Sequence, residues 1–139
     1  MEHLAIMKKS WKLIDKILNK EKKIESRWYK SKYSPWNKIK KDEIVYFKNS
    51  GENVTVKAEV EKVLQFDNLD FEKIKKILDR YGNELSVDDG FFEIVKDKKY
   101  CILVFLKNVK KIESFEIDKT GYGNMSAWIC VESIDELRK

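Results

Sequence analysis

Apolar and polar positions along this chain fall into runs whose period changes at definable points. His3-Leu4-Ala5-Ile6-Met7 is a short apolar run, the pattern of a buried strand. From Trp11 to Asn19 the period lengthens: Trp11, Ile14, Ile17 and Leu18 fall at helical spacing, Leu13 widens the stripe, and Lys12, Asp15 and Lys16 face water. Ser10 stands where an N-cap belongs, and Trp11 is expected as a core anchor. Lys23-Ile24-Glu25-Ser26-Arg27-Trp28 then alternates with a period of two. A strand there sets Lys23, Glu25 and Arg27 on one face and Ile24, Ser26 and Trp28 on the other. Three charges on one strand face predict either a solvated face or the lining of a polar cleft.

Tyr33-Ser34-Pro35-Trp36 predicts a turn around the only proline. Glu43 to Lys48 is a second strand, and Asn49 to Asn53 a hairpin-like turn. A long strand starts at Val54, with Val54, Val56, Ala58 and Val60 as its apolar face. Its phase slips near Lys62-Val63-Leu64, the mark of a bulge or bend. Asp70 is placed to cap a helix through Tyr81, with Phe71, Ile74, Ile77 and Leu78 as its buried stripe and Gly82 as its stop. Phe91 to Val95 predicts a short helix. Tyr100 to Leu106 is a strongly apolar central strand, continued from Val109 to Ile117. A loop over Lys119 to Asn124, a strand over Ala127 to Val131 and a turn from Ile134 to Leu137 complete the chain. No repeat or linker interrupts it, so residues 1–139 are expected to form a single domain. Strands outnumber helices and are joined mostly by hairpins. The expected class is therefore α+β, a small β-barrel or curved mixed sheet with flanking helices, rather than a doubly wound sheet.

Composition sharpens this picture in three ways. Charged residues make up 38% of the chain, above the roughly 25% of an ordinary domain. This Lys/Glu excess suits the surface ion pairs of a thermophile, and equally a plain nucleotide bias. The net charge of +5 favours anionic partners, nucleic acid above all. Cys101 and Cys130 each sit in an apolar run without a Cys-x-x-Cys pair, which predicts buried reduced thiols rather than a disulfide or, with His3, a metal site. No apolar stretch reaches the roughly 18 residues of a membrane span, and no signal segment is evident, so a cytoplasmic protein without cofactor or metal is expected.

The segment Lys20-Glu21-Lys22-Lys23-Ile24-Glu25-Ser26-Arg27 resembles the G-x-K-x-x-E-x-R motif of the ASCH domains, relatives of the PUA-like RNA-binding folds. Lys22, Glu25 and Arg27 fall on the motif's Lys, Glu and Arg. The strand and amphipathic helix before the motif, the Trp28-Tyr29 pair after it and the later Tyr100 to Leu106 strand are similar as well. Lys20 stands in place of the motif's glycine, so the turn either avoids a positive φ or strains the residue that adopts one. The resemblance implies a PUA-like curved sheet with a cleft across its mouth, lined by the motif, where RNA or a nucleoside-like ligand sits. One enzymatic branch of the family hydrolyses an amide of an acylated cytidine with a Thr nucleophile beside a Lys. Here Lys22 is kept, but Glu25 stands where the Thr belongs, and a carboxylate cannot serve as that hydroxyl.

The residues themselves support a ligand cleft or a simple ion pair. Glu25 and Arg27, about 7 Å apart on one strand face, are able to pair. A paired Arg27 presents a planar fork to phosphate or a base edge, while Glu25 orients it or accepts from an exocyclic amine, and Lys22 adds a point charge. The alternative is a surface salt bridge worth about 0–1 kcal/mol. Lys30 and Trp36 belong to a stretch of aromatics interleaved with lysines, a pattern suited to single-stranded nucleic acid, although Trp36 is equally placed to plug the sheet edge. Asn124 and Ser126 lie in a glycine-containing loop able to hold an anion or to form a plain turn. Candidate ligand-binding residues are thus Lys22, Glu25, Arg27, Lys30, Trp36, Asn124 and Ser126, with Lys22 and Glu25 as candidate catalytic groups. The leading expectation is an RNA-binding protein. The alternatives are an enzyme, either an amidohydrolase on a modified nucleoside or a ribonuclease using Lys22, Glu25 and Arg27 as base and charge stabilisers, and a protein-interaction domain.

Overall fold

The computed structural model describes residues 1–123 and 126–139. Six strands form one mixed sheet: β1 (Glu2–Met7), β2 (Ile24–Tyr29), β3 (Ile44–Asn49), β4 (Val54–Phe66), β5 (Tyr100–Phe115) and β6 (Trp128–Val131). Their order is β2-β5-β4-β3-β1-β6, with β1 and β3 parallel and the other pairs antiparallel. Three helices accompany the sheet: α1 (Leu13–Leu18), α2 (Phe71–Leu85) and α3 (Phe91–Val95). The sheet curls into a half-barrel, and the class is α+β, a curved mixed sheet with flanking helices, as the strand pattern led one to expect.

The curl has its cause in the two long strands. Their register shifts three times, between Val54 and Val56, between Lys57 and Glu59, and between Val60 and Lys62. At the second shift β5 carries one extra residue, and Asn108 there adopts a left-handed φ of 51°, which asparagine tolerates better than most side chains. The third shift lies where the apolar phase of β4 slips in the sequence. Up to that point the alternation holds: Val54, Val56, Ala58 and Val60 are all buried.

Each face of the sheet has its own apolar cluster. Ile102, Val104, Val60 and Phe47 pack with Ile14 and Ile17 of α1 on one side. Ile24, Cys101 and Leu103 pack with Ile74, Ile77 and Leu85 of α2 and Val95 of α3 on the other. A third cluster, with Leu4, Ile129 and Leu137, holds the C-terminal turn.

Three local expectations are corrected. The predicted helix from Trp11 is split: a single 3-10 turn covers Lys9–Trp11, Lys12 takes a left-handed φ of 55°, and α1 begins only at Leu13 with no side-chain cap from Ser10. Trp11 is consequently swung outward, 39% exposed, under the Lys8 ammonium at 5.0 Å. The second helix is capped by Asp70 as expected, its carboxylate accepting from the Lys73 amide at 2.9 Å, but it runs through Gly82 to Leu85 and ends on Ser86 at φ 60°. Leu85 is fully buried, and that burial outweighs the stop signal of the glycine. Phe71, expected in the buried stripe, sits at the first helical position, where it lies exposed beside Phe92. Among the described residues no helix is long and apolar enough to cross a membrane.

Candidate functional site

The motif segment turns the corner from α1 into β2, an edge strand of the sheet. Lys20 adopts a positive φ of 70°, so the lysine takes on the strain that a glycine there would avoid. This turn delivers Lys22 beneath the end of α2. Its Nζ donates to the carbonyl of Leu85 at 2.8 Å, satisfying a helix C-terminal acceptor, and lies 3.3 Å from Glu25 Oε1.

Glu25 and Arg27 pair across β2–β5 with Val104 and Ile102, members of the cluster on the α1 side. Cross-strand partners share a face, so the carboxylate and guanidinium point into the curl. Glu25 is buried and engaged at both oxygens: Oε1 accepts from the Ser26 amide (3.0 Å) and faces Lys22, while Oε2 accepts from Arg27 Nη2 at 3.0 Å. Arg27 reaches across to the opposite end of the sheet. It donates to the carbonyls of Ile6 (3.3 Å) and Ala127 (3.2 Å), and its guanidinium stands 5.1 Å from the centre of the Trp128 ring. The guanidinium therefore bridges the seam where the first strand of the order, β2, comes round to β1 and β6. Its Nε is buried without a partner.

Electrostatics follow from this geometry. Burial raises the pKa of Glu25, but Lys22, Arg27 and the Ser26 amide outweigh it and hold the carboxyl below its usual range. Burial lowers the pKa of Lys22, and Arg27 and Lys16 add to that effect while Glu25 opposes it. Two cations and one carboxylate thus share a buried site.

The trio lines a cavity of about 540 Å³. Lys22, Glu25 and Arg27 form its polar floor; Trp28, Phe91 and Val95 give it an apolar wall; Lys8, Lys16 and Lys98 stand around it. Among the described residues that line it the acids are Glu25 and Asp88, against five cations.

The structure brings together three of the sequence candidates and places others elsewhere. Lys30 is exposed, paired with Asp97 at 3.2 Å, and does not line the cavity. Trp36 packs against the core with its ring edge-on to Tyr100 at 5.2 Å, also away from the cavity. The Ser126 hydroxyl donates to the Tyr122 carbonyl, and its own carbonyl accepts from Lys119. Asn124 lies outside the described residues. Missed by the sequence reading were Lys8, Lys16, Lys98 and Phe91, which reach the cavity only because β1, α1 and α3 dock around β2. Among the described residues no group of three His, Cys, Asp or Glu side chains gathers as a metal site. Cys101 is a buried thiol whose pKa burial pushes far up.

A six-stranded curled mixed sheet with helices on its flanks defines an α+β half-barrel fold. Comparison with solved structures makes this specific. The chain superimposes on ASCH from Zymomonas mobilis with a TM-score of 0.69 at 13% identity, covering 99% of this chain and 96% of that one. A tyrosine-to-phenylalanine variant of that protein gives 0.71 at 12% identity, with 99% of both chains covered. A serine-to-alanine variant gives 0.72 at 12% identity, over 97% of this chain and 91% of that one. The fold is that of the ASCH domain. No family model matches the sequence, and no curated protein matches it.

Proposed function

We propose that this chain binds RNA and that the cavity at the β2 seam accommodates one of its nucleotides. The observation that carries the reading is the juxtaposition in one cavity of a buried lysine, an apolar wall of Trp28, Phe91 and Val95, and the lysines 8, 16 and 98 around it. Bases stack on or pack against such walls, and lysines meet phosphates. The guanidinium of Arg27 has its terminal nitrogens on Ile6, Ala127 and Glu25 and only its Nε unpartnered, so phosphate contact falls first to Lys22 and the lysines around the cavity. Arg27 then supports binding by holding the seam, and Glu25 by fixing both cations.

The test is a titration of labelled single-stranded RNA across a range of salt. Lys8→Glu combined with Lys98→Glu, both away from the buried trio, is expected to weaken binding and to flatten the plot of log affinity against log salt by about two units. An unchanged slope, or no RNA binding by the parent protein at low salt, removes the reading.

One observation favours a second reading. A buried lysine of lowered pKa lining a cavity is a candidate general base, so a hydrolase acting on an acylated nucleoside or on RNA is the alternative. Incubation with acylated cytidines and with RNA decides it: substrate that stays intact in both eliminates the enzyme.

A further inference from the structure

We propose that the floor of the cavity at Lys22 is a receptor for the phosphate monoester at the end of an RNA chain; this rests on the RNA-binding reading and names the group that enters. Lys22 and Glu25 are each 3% exposed, and the side chain of Arg27 is 12% exposed. Together they leave one formal positive charge out of water. The carbonyls of Leu85, Ile6 and Ala127 hydrogen-bond the two cations, but they carry no formal charge. Excess buried charge is unfavourable unless a counter-charge joins it. The floor also has donors to spare. An ammonium has three N–H groups; Lys22 directs one to Leu85 and one toward Glu25, and the third remains. Arg27 Nε is buried with no partner. Glu25 is already engaged by Ser26, Lys22 and Arg27 and is poorly placed to read an amino group. Lys16, near enough to lower the pKa of Lys22, adds positive potential on the same side.

Shape decides between an internal phosphate and a terminal one. A volume of about 540 Å³ falls within the range of roughly 300–1,000 Å³ that holds a single small ligand. A phosphodiester within a strand has chain leaving on two sides, so bringing it to a buried Nζ requires two nucleosides to be enclosed. A monoester has one substituent and three free oxygens. Its phosphate reaches Lys22 while its own nucleoside rests on Trp28, Phe91 and Val95, and the rest of the strand leaves past Lys8 and Lys98.

The experiment uses the full chain and one oligoribonucleotide sequence in four forms: 5′-phosphorylated, 3′-phosphorylated, hydroxyl at both ends, and circular. Titrated at fixed salt, one phosphorylated form is expected to bind about ten- to hundred-fold tighter than the hydroxyl-ended form, the effect of one added charge-assisted contact. The circular form binds no tighter than the hydroxyl-ended one, and inorganic phosphate competes away the advantage. Lys22→Met abolishes the preference. Should that variant unfold, Lys16→Ala on partly exposed α1 is the decisive one and shrinks the preference. Equal affinity for all four forms overturns the inference and leaves RNA binding standing, whereas no binding by any form overturns both.

Discussion

Two polar clusters meet across the seam between opposite ends of the sheet and are built on opposite plans. The first is Lys22, Glu25 and Arg27. The second is Glu43, His3 and Trp128: the Trp128 indole donates to His3 Nδ1 at 3.1 Å, which leaves Nε2 as the protonated nitrogen, and Nε2 donates to Glu43 Oε1 at 2.8 Å. Burial lowers the pKa of His3 despite Glu43, so a neutral ring fits the network. Every polar atom of that imidazole has a partner, and neither His3 nor Glu43 lines the cavity. The motif cluster, by contrast, carries surplus charge, keeps donors unused and opens on the cavity. A closed network, with a neutral ring and a carboxylate facing the Met1 ammonium at 3.4 Å, stabilises a fold; an open one with surplus charge presents chemistry to a ligand. The two touch through Trp128, whose ring underlies Arg27, so the closed cluster braces the open one.

The largest expected effect separates the two clusters directly. Glu25→Gln leaves two buried cations without their carboxylate and is expected to lower stability by about 3–5 kcal/mol in denaturant unfolding. Glu43→Gln keeps an acceptor for a neutral His3 at a partly solvated position, and its loss is expected to be about 1 kcal/mol or less. Equal losses would erase the distinction between an open and a closed cluster.

Acid titration of stability sharpens the comparison, because His3 of one cluster and Glu25 of the other respond in different windows, while Glu43, also held below 4.5, shares the lower window with Glu25. The folded pKa of His3 lies below its ordinary 6.5, so the unfolded chain binds the proton first. The contribution of His3 is complete above that value and declines as pH falls from 6.5 toward the lowered folded pKa. The folded pKa of Glu25 lies below its ordinary 4.5, so its contribution is complete above 4.5 and is lost only as pH drops through the lower folded value. Each group contributes a slope of at most about 1.4 kcal/mol per pH unit in its window. His3→Gln is expected to flatten the upper window and to leave Glu25's share of the lower one in place, while Glu43's share shrinks with the loss of its His3 partner. A stability curve unchanged in the upper window by this substitution would contradict the neutral state of His3 in the closed network.

How far the sequence discloses this arrangement depends on distance along the chain. The period of two over residues 23–28 places Glu25 and Arg27 on one strand face, and the motif adds Lys22; all three meet in the structure. The slip near Lys62 marks the bend that helps the sheet to curl. Both are local signals, written within a few residues. The far partners are not written there. That Arg27 closes the seam depends on β1 and β6 arriving beside β2, with its acceptors 21 and 100 positions away. That α2 passes Gly82 depends on a pocket for Leu85, and the carbonyl this brings within reach of Lys22 has no sequence signature. Trp11 illustrates the reverse failure: helical spacing implies burial only if the helix is continuous, and the left-handed Lys12 breaks it.

The smallest expected effect concerns the turn that delivers the open cluster. Lys20 holds φ at 70° where the motif has glycine, and its side chain gains no buried contact for this, since it is exposed. A left-handed conformation costs a non-glycine residue about 1–2 kcal/mol, of which glycine's greater freedom in the unfolded chain takes back a part. Lys20→Gly is therefore expected to raise stability by about 0.5–1 kcal/mol, read as a higher denaturant midpoint at unchanged m-value. The same substitution leaves Lys22, Glu25 and Arg27 where they are, so the preference for a phosphorylated RNA end is expected to survive it. A destabilised Lys20→Gly protein would mean that the lysine side chain, rather than the backbone angle, holds the corner between α1 and β2. The open cluster would then depend on a contact that the exposed position of Lys20 does not suggest.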